Sequence, residues 1–357
     1  MTSFDFDSRA RNICQDIAAS GRQLDVICTE GGKLKSFAGG AIHRLVQPTW
    51  PFRQRRFIEY NLRAAALAKK IRPNIFHAVD LDTLWAAVTA SKSVGGKVIY
   101  ESRELYTELL ALRGRPIVKY FWRSLEKRLI NKAAHVVTIN ESIATELVRR
   151  YKIEPPTVAM NVPRLSSEIQ PINLRERYAF PGRFVLIFQG ILRAGQGIAR
   201  VIETLTHLPD VSLLLVGDGP YRGEAMELVR QRGLLSRVKF IGMVEPDELP
   251  ALAAGADAGL VLLEPVALNH RLALPQKLFQ YIGAGTPPIV SNQPELIKIV
   301  EKDNLGLVLE YGTPESDARA IDDFLKTRLG EAAANCRRAR QKYDWNIEGK
   351  KILQLYG

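Results

Sequence analysis

The chain has 357 residues, which exceeds the size at which a single hydrophobic core usually stops growing and therefore predicts two domains. Its hydrophobic fraction of 46% and charged fraction of 25% are ordinary for a folded globular protein. The apolar runs are far too short to cross a bilayer, and the three cysteines show neither zinc spacing nor a disulfide framework. These observations predict a cytoplasmic protein.

The positive charge is concentrated in the first half of the chain. The formal net charge is +12, and residues 1–160 hold 26 basic against 15 acidic side chains. This asymmetry indicates a surface made for an anionic partner, for which nucleic acid, anionic lipid and a pyrophosphate-linked substrate all qualify. A basic surface that is merely solvated is the alternative.

Short β-rich runs alternate with amphipathic patterns in the first half, as in doubly wound parallel sheets. Strands are predicted at 23–28, 75–78, 97–100 and 135–139, and helices at 8–19, 57–71, 81–91, 119–132 and 141–151.

The second half repeats this alternation after a Pro-containing segment, 154–171, that is predicted to be a linker. Strands are predicted at 184–189, 211–216, 238–242, 258–263, 288–290 and 306–309, and helices at 198–205, 223–232, 248–254, 275–283 and 345–356. The fold class is therefore α/β with two doubly wound domains, and ligands are expected outside the carboxyl ends of the strands.

A glycine-rich segment follows the first strand of the second half. Gly190, Gly195 and Gly197 permit close backbone approach, and the helix that follows offers free N–H groups to a phosphate. Arg193 adds a cation that can form charge-assisted hydrogen bonds. A phosphate site and a plain strand-to-helix turn remain alternatives.

Gly217 and Gly219 follow the next strand. Their spacing only partly matches the dinucleotide fingerprint, because the third glycine comes one place late. We interpret the segment as a tight loop that lines the ligand cleft rather than as an NAD site.

The segment 272–287 carries Lys277 and Gln280, three residues apart near the start of a predicted helix. A cation and an amide on one helical face suit a pyrophosphate and ribose hydroxyls. An ordinary surface helix is the alternative.

His77 is predicted at the carboxyl end of its strand, with Asp80 and Asp82 just beyond. A lone histidine at such a position is more often structural than catalytic. The pairs Asp5/Asp7 and Asp80/Asp82 match the Asp-x-Asp pattern of metal-dependent sugar transferases, but the pattern is short enough to arise by chance.

Together these segments resemble glycosyltransferase family 4, a family of retaining enzymes with the GT-B fold of two Rossmann-like domains facing across a cleft. The resemblance rests on 190–197, 216–220 and 274–287 in the second half, and on 76–84, 100–105 and 137–143 in the first. It implies an acceptor-side domain of residues 1–160, with 343–357 packing back on it, and a nucleotide-sugar domain of residues 161–342.

The resemblance also implies roles for single residues. His77 would be catalytic, beside the transferred sugar, and the acceptor would lie near Asp80, Arg103 and Glu104. No metal or cofactor is implied, since protein cations and helix dipoles would stabilise the leaving diphosphate. The residues implied to bind the nucleotide sugar are Gly190, Arg193, Gln196, Gly217, Gly219, Lys277, Leu278 and Gln280.

Several positions depart from the family pattern. Gln280 and Leu272 stand where the family usually has glutamates, Gln196 where it commonly has a basic residue, and Arg103 and Val79 where it frequently has histidines. The alternative to an active enzyme is therefore a non-catalytic GT-B protein that binds a nucleotide or glycan and scaffolds a partner enzyme. A sugar-nucleotide epimerase is a more distant alternative. In addition, Met1 aligns after the family's usual first strand, so either the reading frame is annotated short or the first sheet lacks a strand.

A basic amphipathic segment in the first half is predicted to lie on the inner face of an anionic membrane. A helix packed on its own sheet is the alternative, and nucleic-acid binding is not expected, since no recognised module is present. The cations are Arg53, Arg55, Arg56, Arg63, Lys69, Lys70 and Arg72, and the apolar set is Trp50, Phe52, Phe57, Ile58, Leu62 and Leu67.

Overall fold

The computed structural model describes residues 4–46, 53–165 and 168–357. It divides the chain into two compact units, one of Met1–Asn161 with Trp345–Gly357 and one of Val162–Asp344. The C-terminal segment therefore belongs to the first unit. None of the described helices is both long enough and apolar enough to cross a membrane.

The first unit alternates helices and strands. Its helices are α1 (Ser8–Ala19), α2 (Arg53–Ile71), α3 (Leu81–Val94), α4 (Pro116–Ile130) and α5 (Glu141–Tyr151). Its strands are β1 (Asp25–Thr29), β2 (Ser36–Phe37), β3 (Gly40–Leu45), β4 (Ile75–Val79), β5 (Lys97–Ser102), β6 (His135–Thr138) and β7 (Thr157–Val158).

The strands of this unit, as far as they are described, form two separate sheets in the orders β1-β3-β2 and β4-β5-β6-β7. A cavity of about 1090 Å³ lies between β1 and β4, lined by both strands and by side chains of α1, α2 and α3.

The C-terminal helix, Trp345–Leu353, packs on α1. The indole N–H of Trp345 donates to Asp16 over 2.7 Å, and the guanidinium of Arg9 lies 5.3 Å from the centroid of the Trp345 ring. The backbone N–H of Met160 donates to Glu348 over 2.8 Å. These contacts attach the C-terminal helix to the rest of the first unit. They also give hydrogen-bond partners to polar groups that folding buries.

The second unit contains six strands within the described residues: β8 (Phe184–Gln189), β9 (Val211–Val216), β10 (Val238–Gly242), β11 (Ala258–Val261), β12 (Pro288–Ser291) and β13 (Leu307–Leu309). Its helices are α6 (Leu174–Tyr178), α7 (Ile198–Leu205), α8 (Arg222–Gln231), α9 (Leu249–Ala254), α10 (Leu268–Arg271), α11 (Gln276–Ala284), α12 (Pro294–Lys302), α13 (Pro314–Thr327) and α14 (Leu329–Ala339).

These six strands form one parallel sheet in the order β10-β9-β8-β11-β12-β13. Every residue of β8, β9, β11 and β12 is buried, which explains their continuous apolar sequences, since helices cover both faces of a parallel sheet. The order reverses between β8 and β11, so the carboxyl ends of these two strands form the topological switch point where ligands bind in such sheets.

The prediction of two doubly wound α/β units is confirmed. The β2–β3 hairpin, which turns at Gly39 with φ +77°, and the strand β7 within the predicted linker were not predicted. No bounds were predicted for the helices α6, α10, α12, α13 and α14. The strands β2 and β7 have two residues each, and His43 and Arg44 interrupt β3, so these strands lack the apolar runs used for the prediction.

Candidate functional site

The loops that follow β8 and β9 pack directly against each other. The N–H of Gly190 donates to the carbonyl of Val216 over 2.9 Å, and the N–H of Leu192 donates to the carbonyl of Asp218 over 3.0 Å. A Cβ atom at Gly217 would overlap the carbonyl oxygen of Gly190, and one at Gly219 would overlap that of Leu192. Both glycines are therefore required for this close approach.

The glycine loop also touches the segment after β11. Gly197, with φ +72°, precedes α7, and a Cβ atom there would overlap the carbonyl oxygen of Leu262. Because Leu262 directly follows β11, the glycine loop lies at the switch point of the sheet. The amino end of α7 begins at the same place, which is suited to an anion.

Lys277, the second residue of α11, reaches this loop. Its ammonium donates to the side-chain oxygen of Gln196 over 3.1 Å and lies 3.7 Å from the centroid of the Phe188 ring. It lies 4.0 Å from the position that a Cβ atom of Gly190 would occupy. Lys277 and the glycine loop, which are far apart in sequence, are thus brought together.

The positive charge of this cluster is not compensated by a carboxylate among the described residues. Burial, with the nearby Arg193 as a second cause, lowers the pKa of Lys277 to about 7. Among the described residues, neither Lys277 nor Arg193 has a carboxylate partner within ion-pair distance. Two neighbouring cations without a counter-charge favour an anionic ligand, because such a ligand would stabilise the charged form of the lysine.

Gln280 is engaged with a neighbouring glutamine. The side-chain amide of Gln189 donates to the side-chain oxygen of Gln280 over 2.6 Å, and the other amide atom of Gln189 is buried without a partner in the described structure. Gln280 therefore lies at the end of β8, close to the glycine loop. Whether it meets a ribose stays a prediction.

Leu278 follows Lys277 in α11. Its side chain is wholly buried in the second unit, and its backbone N–H donates to the carbonyl of Pro275 over 3.1 Å. The i, i+1 relation to Lys277 places the two side chains on different faces of the helix. A contact between Leu278 and the nucleotide sugar stays a prediction.

His77 lies in the first unit, and the prediction that it ends its strand is wrong. It is the middle residue of β4, which continues to Val79. Its Nδ1 is hydrogen-bonded to the hydroxyl of Tyr356, and its Nε2 lies 3.5 Å from a carboxylate oxygen of Glu101. The His77 side chain is 13% exposed, so it is held between these two groups and has little contact with solvent.

Glu101 is the centre of a buried charge network. It accepts from Arg9 over 2.6 Å and from Arg103 over 3.2 Å, and Arg103 also pairs with Asp7 over 2.7 Å. Burial alone would raise the pKa of Glu101, but Arg9, Arg103 and His77 together hold it well below its ordinary value. Arg103, predicted to face an acceptor, is thus largely engaged in internal ion pairs.

Asp80 directly follows the carboxyl end of β4, the place that was predicted for His77. It has φ +59°, an unusual conformation for a residue with a side chain, and its carboxylate accepts from the N–H of Arg103 over 3.1 Å. Burial is the main reason that the pKa of Asp80 is raised to about 7. A half-buried carboxyl group with an unusual backbone conformation and a raised pKa is a frequent property of functional sites. Glu104 follows in the same loop and has hydrogen-bond or ionic interactions of its own.

The two carboxylates of the Asp5/Asp7 pair have different partners. Asp5 pairs with Arg44 and accepts from the N–H groups of Lys33 and Leu34, whereas Asp7 caps α1 and pairs with Arg103. Within the described ranges, no group of three or more His, Cys, Asp or Glu residues could hold a metal ion.

The apolar side of α2 packs inward at its start. Phe57 is buried, stacks on Trp85 at 5.8 Å between ring centroids and contacts Trp122 edge-on at 4.7 Å. Ile58 and Leu62 are exposed. Trp50, Phe52 and the side chain of Arg53 lie outside the described residues, so the predicted membrane face of this segment is only partly described.

Two family models cover most of the chain. Residues 172–343 match the model described as Glycosyl transferases group 1, and residues 8–161 match that described as Glycosyltransferase Family 4. The glycine loop, Lys277, His77 and Asp80 fall within these ranges.

Among curated proteins, the chain is similar to an alpha-D-kanosaminyltransferase of Streptomyces kanamyceticus, with 25% identity over 68% of this chain and 64% of that protein. A lipopolysaccharide core biosynthesis glycosyltransferase, LpsE of Rhizobium meliloti, is 32% identical over 41% of this chain and 42% of its own length. The aligned part thus spans between two fifths and two thirds of these relatives.

Solved structures show the same fold. HepE of Anabaena, in complex with UDP and glucose, superposes with a TM-score of 0.78 at 15% identity, covering 100% of this chain and 97% of that one. WaaG, a glycosyltransferase involved in lipopolysaccharide biosynthesis, gives a TM-score of 0.73 at 18% identity, covering 99% and 97%. At these identities the similarity shows the fold, which is GT-B.

Proposed function

Because the chain belongs to glycosyltransferase family 4, we propose that it is a retaining glycosyltransferase that moves a sugar from a nucleotide diphosphate sugar to a glycan or lipid-linked acceptor. The process it serves is surface polysaccharide or glycolipid synthesis, the kind named for relatives such as LpsE and a putative teichuronic acid glycosyltransferase of Bacillus subtilis. The observation that carries the proposal is the pair of uncompensated cations, Lys277 and Arg193, beside the Gly190 loop at the switch point.

The donor diphosphate binds at this pair. Lys277 and Arg193 supply positive charge, and the glycine backbone permits a close approach that any side chain would block. As the bond from the sugar to the diphosphate breaks, negative charge grows on the leaving oxygens, and fixed cations stabilise it where it develops. The neighbouring structures of HepE contain UDP or UDP-glucose, which makes uridine diphosphate sugars the first donors to test.

The first unit binds the acceptor. Its excess positive charge suits a phosphate-bearing acceptor, and Asp80 provides a carboxyl group whose pKa of about 7 would allow it to exchange a proton near neutral pH. His77 acts in the transfer of the sugar, in contact with Tyr356 and Glu101. The protein cations replace a divalent metal in this proposal, and no cofactor is required.

Gln196 and Gln280 favour a second candidate, a non-catalytic protein that binds a nucleotide or glycan. Both are neutral amides at the cluster, and Gln280 is engaged by Gln189. Amides still donate to and accept from ribose hydroxyls, so binding is compatible with either candidate.

Two measurements separate these candidates. A thermal-shift series with nucleoside diphosphates and their sugars should raise the melting temperature, because ligands that bind only the folded state stabilise it. The stabilising sugar nucleotide is then assayed for hydrolysis and for transfer, with and without EDTA. Turnover unaffected by EDTA supports the enzyme; binding without turnover supports the binding protein; strict dependence on a divalent metal contradicts the metal-free mechanism.

A further inference from the structure

Helix α4 carries an exposed apolar ridge, which we define as Ile117, Tyr120 and Phe121. These side chains are 84%, 73% and 45% exposed, respectively. Their spacing of three and four residues places them on one face of the helix. Isolated exposed apolar residues are common, but three on one helical face form a contiguous patch, and such patches mark interaction sites.

Cations surround the ridge. Between Arg113 and Arg128 the chain has six basic residues and one acidic residue. The acidic residue, Glu126, is 2% exposed and accepts hydrogen bonds from the buried hydroxyls of Tyr100 and Tyr151, so it does not offset the surface charge. The basic residues are Arg113, Arg115, Lys119, Arg123, Lys127 and Arg128, and all but the half-buried Lys119 are exposed.

Helix α4, which carries the ridge, packs against aromatic side chains of the first unit. Trp122 lies beneath the ridge and contacts Phe57 at 4.7 Å and Tyr106 at 5.0 Å between ring centroids, and Phe121 itself contacts Phe57 edge-on at 6.4 Å. Edge-to-face aromatic contacts of this kind fix the orientation of a helix. The packing of Trp122 therefore fixes the orientation of α4 in which the ridge faces solvent.

We propose that this face of α4 docks the protein on an anionic lipid surface. The 15-residue helix, about 22 Å long at 1.5 Å per residue, would lie in the plane of the interface. The ridge would enter the boundary between headgroups and acyl chains, where tyrosine and other aromatic side chains are stabilised, and the cations would meet lipid phosphates.

The chemistry of the face favours lipid over other anionic partners. A nucleic acid would engage the cations, but it would leave the aliphatic Ile117, the most exposed of the three, without an apolar environment. A protein partner would have to supply a groove that is both apolar and acidic. A bilayer that contains anionic lipid offers both properties in one surface.

The proposal rests on the proposed function in one respect: docking on a membrane would give the protein access to a lipid-linked acceptor. Docking itself requires no catalysis. Nucleotide binding and donor hydrolysis are measured without vesicles, so a failure of docking and a failure of the proposed function give different results.

Vesicle sedimentation tests the proposal. The wild-type protein should sediment with phosphatidylglycerol–phosphatidylethanolamine vesicles, be released as salt rises, and remain in solution with phosphatidylcholine vesicles. The triple variant Ile117→Ser, Tyr120→Ser, Phe121→Ser should partition at least about tenfold less, because it removes most of the inserted apolar area. The control Met226→Ser, Leu235→Ser removes apolar residues that are 47% and 61% exposed in the second unit, and should bind like the wild type.

A double charge reversal tests whether the cations around the ridge contribute to lipid binding. Arg123→Glu with Lys127→Glu should weaken binding to anionic vesicles and reduce its salt dependence. Lys302→Glu with Arg319→Glu changes the net charge equally on exposed residues of the second unit and should have a much smaller effect. Circular dichroism and nucleotide-induced thermal shift verify that each variant is folded.

The proposal is overturned if the wild type stays in solution with anionic vesicles at low salt. It is also overturned if the folded triple variant and its control bind vesicles equally, because the lipid contact would then lie elsewhere. A protein partner for the ridge would be the remaining possibility in that case.

Discussion

The ammonium of Lys277 donates a hydrogen bond to the side-chain oxygen of Gln196 over 3.1 Å. This contact pairs a partly buried cation with a neutral amide, and the face of the Phe188 ring lies on another side of the same ammonium. A neutral partner compensates little of the desolvation of the charge, which is why the pKa of Lys277 falls to about 7. The cluster is therefore expected to bind an anion and a proton together.

The first prediction is proton-linked nucleotide binding. A bound diphosphate favours the charged form of Lys277, so above pH 7 binding should take up a proton, and affinity should fall by up to about tenfold per pH unit. Calorimetry in two buffers of different ionisation enthalpy measures this uptake. Lys277→Met should weaken binding by about 1.5–3 kcal/mol and abolish the uptake. Lys302→Met, at an exposed position, is the control; equal proton uptake in the Lys277 variant would contradict the assignment.

The second prediction concerns Gln280. In Gln280→Glu, a carboxylate would accept the hydrogen bond that the amide of Gln189 now donates, and a charged acceptor strengthens such a bond. Because the family usually has glutamate here, we expect faster turnover of the donor. Steady-state transfer or hydrolysis assays measure it. If neither the variant nor the wild type turns over any donor that it binds, the binding-protein candidate is favoured instead.

The third prediction tests the packing of the two glycine loops. Gly217→Ala places a Cβ atom against the carbonyl of Gly190 at a φ of +130°, so it should destabilise the second unit by at least about 1–3 kcal/mol and weaken nucleotide binding. Gly223→Ala is the matched control, since that glycine lies within α8 with open space around it. It should be neutral or stabilising by about 0.5–1 kcal/mol. Urea unfolding measures both; similar effects would show that the loops do not require the close approach.

The fourth prediction follows from Asp80. Its pKa of about 7 in the folded protein exceeds the value of about 3.9 in an unfolded chain, so the folded state holds a proton that the unfolded state has released between these values. The stability that this proton contributes is complete below about pH 4 and is lost as pH rises through 7. Asp80→Asn imitates the protonated form, so its melting temperature should rise relative to wild type as pH increases from 5 to 8. Asp247→Asn, at an exposed position, should show no such trend, and parallel curves for the Asp80 variant would refute the shift.

The fifth prediction separates two roles for His77. His77→Ala should lower turnover far more than nucleotide affinity, since the proposed nucleotide contacts lie in the second unit. Tyr356→Phe removes only the hydroxyl bonded to Nδ1 and tests whether that bond orients the ring. Kinetics and calorimetry are compared for both variants. A loss of folding in His77→Ala, without a specific kinetic defect in Tyr356→Phe, would indicate a structural role.

By itself, the sequence determined the elements with strong local signals. Helix α5 and strands β8, β9 and β10 were predicted with the bounds that the structure has, because their apolar runs or amphipathic periods are clear and turn residues flank them. Residue type and position predicted a phosphate site at the glycine loop and a pyrophosphate contact for Lys277, each with an ordinary structural alternative, and the family resemblance implied that both meet one diphosphate. Chain length predicted two domains, since it limits the size of one core, and the alternation of strand and helix patterns predicted that both are α/β.

The tertiary structure decided which polar residues are partnered and which are not. Arg103 forms ion pairs with Glu101 and Asp7. His77 lies within its strand, and Asp80, directly after the strand, has a positive φ. Sequence could not show this, because ion pairs such as Arg9–Glu101 join residues 92 positions apart, and burial shifts a pKa only after the chain has folded around the group.

Likewise, the spacing of Ile117, Tyr120 and Phe121 is visible in the sequence, but a core face and an exposed ridge have the same helical period. Packing of Trp122 against Phe57 and Tyr106 determines which side of α4 is buried and which side remains in solvent.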